Sequence, residues 1–205
     1  YIESLKAERT KNGDGEIEFT LLKFDSNRVE KVHVGESIEK VPPLTRDTYK
    51  PEAATPLIDA AYKAIKATAE ALVKRTDKPN VICVIQTDGQ ENASTEFKLT
   101  DLTMLIKEKQ AEGWQFIFLG AGLDAFEIAK DFGIPMAATM SYDRKNSVQT
   151  FHALATNTSA YRVSANAGDL LWTSAQRKSS GDVYHQLSPA VLGTASVVQT
   201  SEKKA

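Results

Sequence analysis

Two short apolar runs in the middle of the chain lack the polar–apolar alternation of half-buried strands. Residues 81–85 (VICVI) and 114–119 (WQFIFL) are rich in β-branched or aromatic residues. Runs of this kind are typical of strands covered on both faces of a sheet, and we predict both to be central strands. A further short strand is predicted within residues 135–142.

Apolar positions recur at helical spacing in several longer segments. They predict helices over residues 56–74, 99–111, 124–132 and 146–161, and the end of another helix over residues 2–11. Thr55 and Pro56 form a helix start, in which a hydroxyl caps the first turn and proline takes the first helical position. The apolar stripe of the last helix is predicted to contain Val148, Phe151, Leu154 and Ala155.

Polar and apolar residues alternate over residues 16–24 and 28–34, on either side of a short polar turn at 25–27. This pattern predicts a β-hairpin. Its second strand is the more charged one, and charges at a sheet edge discourage pairing with other molecules. We therefore expect that strand to lie at an edge.

Helices of this length between the strands require parallel pairing with crossover connections. The predicted fold class is α/β, with a doubly wound, mostly parallel sheet, one antiparallel edge strand and helices on both faces. Residues 1–163 are predicted to form this domain. Residues 164–205 are predicted to be a polar C-terminal tail, in which residues 170–172 anchor one part and residues from Ser174 onward are largely unfolded.

Composition narrows the possible partners. The chain has 205 residues, of which 41% are hydrophobic and 25% charged, with a formal net charge of −2. This balance gives no electrostatic reason to expect nucleic acid or an anionic membrane as a partner. No apolar run approaches the roughly 20 residues of a membrane span and no signal peptide is visible. With Cys83 as the single cysteine, we expect a cytoplasmic protein with an inert buried thiol.

The strand ending in Thr87-Asp88-Gly89, together with an upstream Thr55-Pro56 loop and the order of elements, resembles the von Willebrand factor type A (vWA) family, particularly standalone bacterial and phage members. The resemblance covers about residues 1–162. It implies a metal-ion-dependent adhesion site that holds Mg²⁺, or Mn²⁺ or Ca²⁺, with Thr55 and Asp88 as ligands. The family's Asp-x-Ser-x-Ser motif does not occur before Thr55, so its first strand is expected to precede Tyr1.

The resemblance implies a protein-interaction module rather than an enzyme. Its partner would be another protein, whose acidic side chain completes the metal shell. Two readings stay open beside it. The chain as given binds no metal and acts as a metal-independent scaffold, or Thr55 is only a helix cap and Asp88-Gly89 only a turn. Glu91 and Asn92 lie close to Asp88 in the sequence, which makes them candidates for the rim of the site. They are interpreted instead as solvated loop residues.

A second candidate site is the glycine loop Gly120-Ala121-Gly122, which is predicted to follow a strand and open a helix. It matches a loose dinucleotide-binding pattern, with Asp143 near the distance expected for a ribose-binding carboxylate. This is the enzyme alternative, a nicotinamide-dependent oxidoreductase. Asp124 at the helix start would oppose a bound phosphate and is better interpreted as a helix cap.

Overall fold

A computed structural model describes residues 1–12, 15–25, 28–45, 55–122 and 124–186 of the chain. Within these residues the chain forms helices on both sides of a small parallel sheet. The helices are α1 (Ile2–Asn12), α2 (Leu57–Val73), α3 (Leu99–Ala111), α4 (Ala125–Asp131), α5 (Ser147–Ser164) and α6 (Ser174–Ser180). The strands are β1 (Glu18–Asp25), β2 (Arg28–Ser37), β3 (Ile82–Thr87), β4 (Gln115–Ala121) and β5 (Thr139–Tyr142).

The parallel sheet has the order β3-β4-β5. Its central strand, β4, alternates between two cores, as the pleat of a strand requires. Phe116 and Phe118 pack with α2, α3 and α4 on one face. Ile117 and Leu119 pack with α5 on the other face. The prediction of an α/β fold with helices on both faces of parallel strands is therefore confirmed.

Two details of the predicted sheet are wrong. The run at residues 81–85 was expected to be central, but β3 is an edge strand of the parallel sheet among the described residues. The hairpin β1–β2 was expected to extend the same sheet, but it forms a separate two-stranded antiparallel sheet. Four of the five residues in the run at 81–85 are only half-buried, whereas β4 is buried over nearly its whole length. An apolar run alone does not distinguish these two positions in a sheet.

The C-terminal part of the domain is more ordered than the sequence predicts. Residues 174–180, expected to be unfolded, form α6, and the described structure continues to residue 186. Trp172 is buried, as the predicted anchor requires. Residues 187–205 lie outside the described part of the chain. In α5, Val148 is 78% exposed, so its predicted place in the apolar stripe is wrong.

Candidate functional site

The candidate site lies where the three parallel strands end, at Thr87, Ala121 and Tyr142. Because parallel strands point the same way, the loops that follow them meet at one edge of the sheet. Asp88, Gly122 and Asp143 are the first residues of these loops. This edge holds both sites that the sequence proposes.

Thr55 reaches this edge from the loop before α2 and lies against the residue after Asp88. A Cβ atom added at Gly89 would be 2.9 Å from Thr55 Oγ1. Side chains do not tolerate such an approach, so the absence of a Cβ at Gly89 allows the hydroxyl to lie there. The structure thus brings the Thr55 hydroxyl and the Asp88 loop together, although they are 33 residues apart in the chain.

Glu91 and Asn92 hold the two loops in this arrangement. Asn92 Oδ1 accepts a hydrogen bond from Thr55 N at 2.9 Å, and Asn92 N donates to Thr55 O at 3.3 Å. Glu91 Oε2 accepts from Ile58 N at 2.9 Å, in the first turn of α2. Glu91 is half-buried and Asn92 is exposed, so both remain loop residues in contact with solvent. Each also bonds the chain at the start of α2, which the sequence did not indicate.

The same contacts correct the role given to Thr55. The N-cap of α2 is Pro56, and no side-chain capping bond is made there. The first turn of α2 is satisfied by Glu91 instead, at Ile58 N. Helix capping consequently does not account for the Thr55 hydroxyl, which leaves it for the site.

The Glu91 carboxylate is ionised and accepts several hydrogen bonds. It also accepts from the backbone N–H groups of Ala93 and Ser94 and from the Ser94 hydroxyl. Burial raises the pKa of Glu91, but the hydrogen bonds from Ser94, Ile58 and Ala93 outweigh it and hold the pKa below its usual range.

A second carboxylate, that of Asp59 in the first turn of α2, binds the part of the same loop that leads into α3. It accepts from the backbone N–H groups of Thr95, Glu96 and Phe97. Burial raises the pKa of Asp59, yet these bonds together keep it below its usual range. Residues 91–97 are thus fastened to the start of α2 at both ends, which fixes the loop that carries Asp88.

The turn at Asp88-Gly89 is made by Thr87 rather than by the aspartate. Thr87 Oγ1 accepts from Gly89 N at 3.2 Å and donates to Gly89 O at 2.8 Å. The Asp88 carboxylate is therefore free of the local turn bonding that aspartate often provides. Its side chain is 60% exposed at the edge of the sheet.

Arg144, which sequence reasoning did not single out, is the residue that faces Asp88. Its Nη2 lies 3.4 Å from Asp88 Oδ2 and donates to Asp88 O at 3.3 Å. Its Nε would be 3.6 Å from a Cβ added at Gly122. The guanidinium therefore lies over the ends of β3 and β4. Next to it, burial and then the charge of Asp88 raise the pKa of Tyr142, whose hydroxyl accepts from Gln86 Nε2.

The residues present fit a divalent cation in chemical type. A hydroxyl and a carboxylate are the hard oxygen ligands that Mg²⁺ takes. The space that a Cβ of residue 89 would need is taken by the Thr55 hydroxyl. Thr55 and Asp88 would supply two oxygens, and water or a partner the others. Within the described ranges there is no group of three or more His, Cys, Asp or Glu side chains placed to hold a metal.

The glycine loop is built differently from a dinucleotide site. Gly120 lies inside β4, paired with Thr87, rather than in the turn that precedes the helix. Asp124 caps α4 as expected, since its Oδ1 accepts from Phe126 N at 3.0 Å. Its Oδ2 accepts from the Tyr184 hydroxyl at 2.8 Å. Both oxygens of this carboxylate are thus engaged at the place where a pyrophosphate would approach.

Asp143, the carboxylate considered for a ribose, is also occupied. Its Oδ1 accepts from Lys145 N and its Oδ2 pairs with Lys145 Nζ at 3.0 Å. It borders an open cavity of about 350 Å³ that Gly122, Asp124 and Tyr184 also line. The geometry gives the nicotinamide alternative no support.

Burial raises the pKa of the Cys83 thiol to about 12, which keeps it protonated and unreactive near neutral pH. None of the helices that the structure describes is both long and apolar enough to cross a membrane. Comparisons of the chain with models of known protein families, with curated proteins and with solved structures found no match.

Proposed function

We infer that the chain is a protein-interaction module of vWA type, with a doubly wound α/β fold, and that it recognises its partner at the strand-end edge of the parallel sheet. In this proposal Thr55 and Asp88 are the residues that hold a divalent cation. The partner is another protein that presents an acidic side chain. We also propose a reducing, cytoplasmic location, since a chain with a single cysteine forms no internal disulfide.

The observation that carries the proposal is the contact between the Thr55 loop and the Asp88 loop. A hydroxyl that takes no part in capping α2 lies beside the backbone of Gly89, the residue that follows Asp88. The Asp88 side chain is 60% exposed. Glu91 and Asn92 fix both loops before any ligand arrives. Such preorganisation lowers the entropic cost of binding.

The roles of the residues follow from this geometry. A divalent cation at this position would offer an open coordination place to a carboxylate of the partner. Thr55 and Asp88 contribute oxygen ligands to the cation. Glu91 holds the Asp88 loop against the first turn of α2 through its hydrogen bond from Ile58 N. Because Asp88 is largely exposed, water can fill the remaining places until a partner displaces it.

A metal-independent scaffold is the second candidate, and Arg144 favours it. The guanidinium already provides a positive charge beside Asp88, and two protein oxygens alone hold Mg²⁺ weakly. In this form the strand-end edge would bind a partner through its fixed loops and charged side chains without an ion.

Calorimetric titration of the whole chain with Mn²⁺ and Mg²⁺ tests the metal-dependent form. We expect saturable binding that Asp88→Asn abolishes. Asp143→Asn removes a carboxylate from the same edge, one paired with Lys145, and should leave binding within about twofold, as expected for an exposed charge. Partner capture is then compared with and without EDTA for the unaltered chain and Asp88→Asn.

Equal loss of affinity in both variants would show a diffuse effect of negative charge and remove Asp88 as a specific ligand. No saturable binding to the unaltered chain would eliminate the metal-dependent form. Partner capture that resists EDTA but is lost when Arg144 and Asp88 are both replaced would then support the scaffold form.

A further inference from the structure

We propose that Arg144 is a built-in counter-ion of the candidate site, which occupies Asp88 in the metal-free state and must be displaced before a divalent cation binds. This inference rests on the proposed function and adds a control element to it. It assigns a role to a residue that no sequence motif indicated.

The first support is the position of the guanidinium. Arg144 Nη2 contacts both the carboxylate and the carbonyl of Asp88, at 3.4 and 3.3 Å. A guanidinium at this distance neutralises the carboxylate that the cation needs as a ligand. The two positive charges would repel each other if both stayed on Asp88, so binding of one requires departure of the other.

The second support is that the backbone of Arg144 is fixed while its side chain can leave. Asp143 N donates to Ser180 O at 3.0 Å, and the Ser147 hydroxyl donates to Arg144 O at 2.5 Å. The Arg144 side chain itself is 66% exposed. It can therefore swing into water without unfolding its neighbours, as a displaceable counter-ion must.

The chain offers a matched control beside it. Lys145 carries the same charge on the same loop and is 77% exposed, but it pairs with Asp143 instead of Asp88. Replacing Lys145 removes one positive charge from the edge without freeing Asp88. Any difference between Arg144→Gln and Lys145→Gln consequently reports the Asp88 contact rather than net charge.

The experiment measures Mn²⁺ affinity by electron paramagnetic resonance for the whole chain, Arg144→Gln, Lys145→Gln and Arg144→Gln/Asp88→Asn. An exposed ion pair is weak, so Arg144→Gln should tighten binding by about two- to fivefold, and Lys145→Gln by distinctly less. The double variant should lose binding. In parallel, Mg²⁺ added to the unaltered chain should shift the Arg144 Nε–H resonance with the same midpoint as binding.

Saturable Mn²⁺ binding that Arg144→Gln leaves unchanged or weakens overturns the counter-ion role and leaves the proposed cation site standing. Saturation by Mg²⁺ with no change at Arg144 Nε–H does the same. Absence of Mn²⁺ binding in every variant, with circular dichroism showing that all are folded, overturns both the inference and the metal-dependent function.

Discussion

At the residue scale, Gly89 decides whether the candidate site can form. The Thr55 hydroxyl oxygen lies 2.9 Å from the position that a Cβ of residue 89 would take. Alanine there would force Thr55 to rotate or the loop to move. The sequence shows a glycine after Asp88, which a turn already explains, and so it cannot reveal that a threonine 34 residues earlier requires it.

Gly89→Ala tests this close approach through its coupling to Thr55. In the unaltered chain we expect Gly89→Ala to lower the free energy of unfolding by about 1–3 kcal/mol, the usual cost of overpacking. In a Thr55→Ala background the clash is absent, and alanine also restricts the unfolded chain. The same change should then be neutral or slightly stabilising, as measured by urea unfolding.

The decisive quantity is the coupling free energy between Thr55→Ala and Gly89→Ala in this double-mutant cycle. A coupling free energy below about 0.3 kcal/mol, within the range of independent sites, would mean that Thr55 and Gly89 do not touch in solution. The shared site would then lose the contact on which it depends.

At the element scale, α6 is held by a buried charge rather than by an apolar face. Arg177 is fully buried and donates to the carbonyl groups of Thr139 and Met136, at 2.9 and 2.8 Å. It pairs with Asp182 at 2.7 Å. Burial lowers the pKa of Arg177, and the hydrogen bond and charge of Asp182 act against that shift. These bonds attach α6 to the start of β5 and to the turn before it.

Asp182→Asn should therefore destabilise the domain strongly. Removing one partner of a buried ion pair leaves the other charge uncompensated, at a cost of about 3–5 kcal/mol. Lys178→Ala is the matched control, since Lys178 lies exposed on the same helix and should change stability by no more than about 0.5 kcal/mol. Thermal and urea unfolding of both variants give the comparison.

Equal stability of the two variants would mean that α6 does not dock through Arg177. The segment that forms α6 has few apolar residues, and the polar composition after Arg162 therefore predicted that it would be unfolded. Its stability comes from carbonyl groups that are close only in the folded chain, between residues about 40 positions apart, and composition carries no sign of such partners.

At the scale of the whole molecule, the parallel sheet has an open side. Among the described residues β3 pairs only with β4. Val81 O accepts from Gln115 N, so by the alternation of a strand the N–H groups of Ile82, Val84 and Gln86 point away from β4.

Hydrogen exchange measures whether that side is covered in the chain as given. We expect the amides of Ile82, Val84 and Gln86 to exchange at least about tenfold faster than those of Cys83 and Ile85, because only the latter point toward β4. The β4 amides provide an internal standard for a strand paired on both sides. Equal protection along β3 would show that another segment covers its outer edge.

The sequence by itself determined most of the helices and strands of this protein, but not α6. Local periodicity predicted α2, α3 and α4, the parallel strands and the hairpin to within a few residues, because helix and strand spacing is written in consecutive side chains. It also placed Thr55 and Asp88 near strand and helix ends, although it assigned Thr55 a capping role that Glu91 performs.

The tertiary structure alone decided which of these residues meet. It placed β3 at an edge of the parallel sheet and brought the Thr55 hydroxyl into contact with Gly89. It also paired Arg144 with Asp88 and buried the Arg177 side chain. Each of these contacts joins residues remote in the chain, or involves a side chain that has several possible polar partners. Which partner gives the lower free energy depends on packing across the whole domain, and the local spacing of residues does not encode that packing.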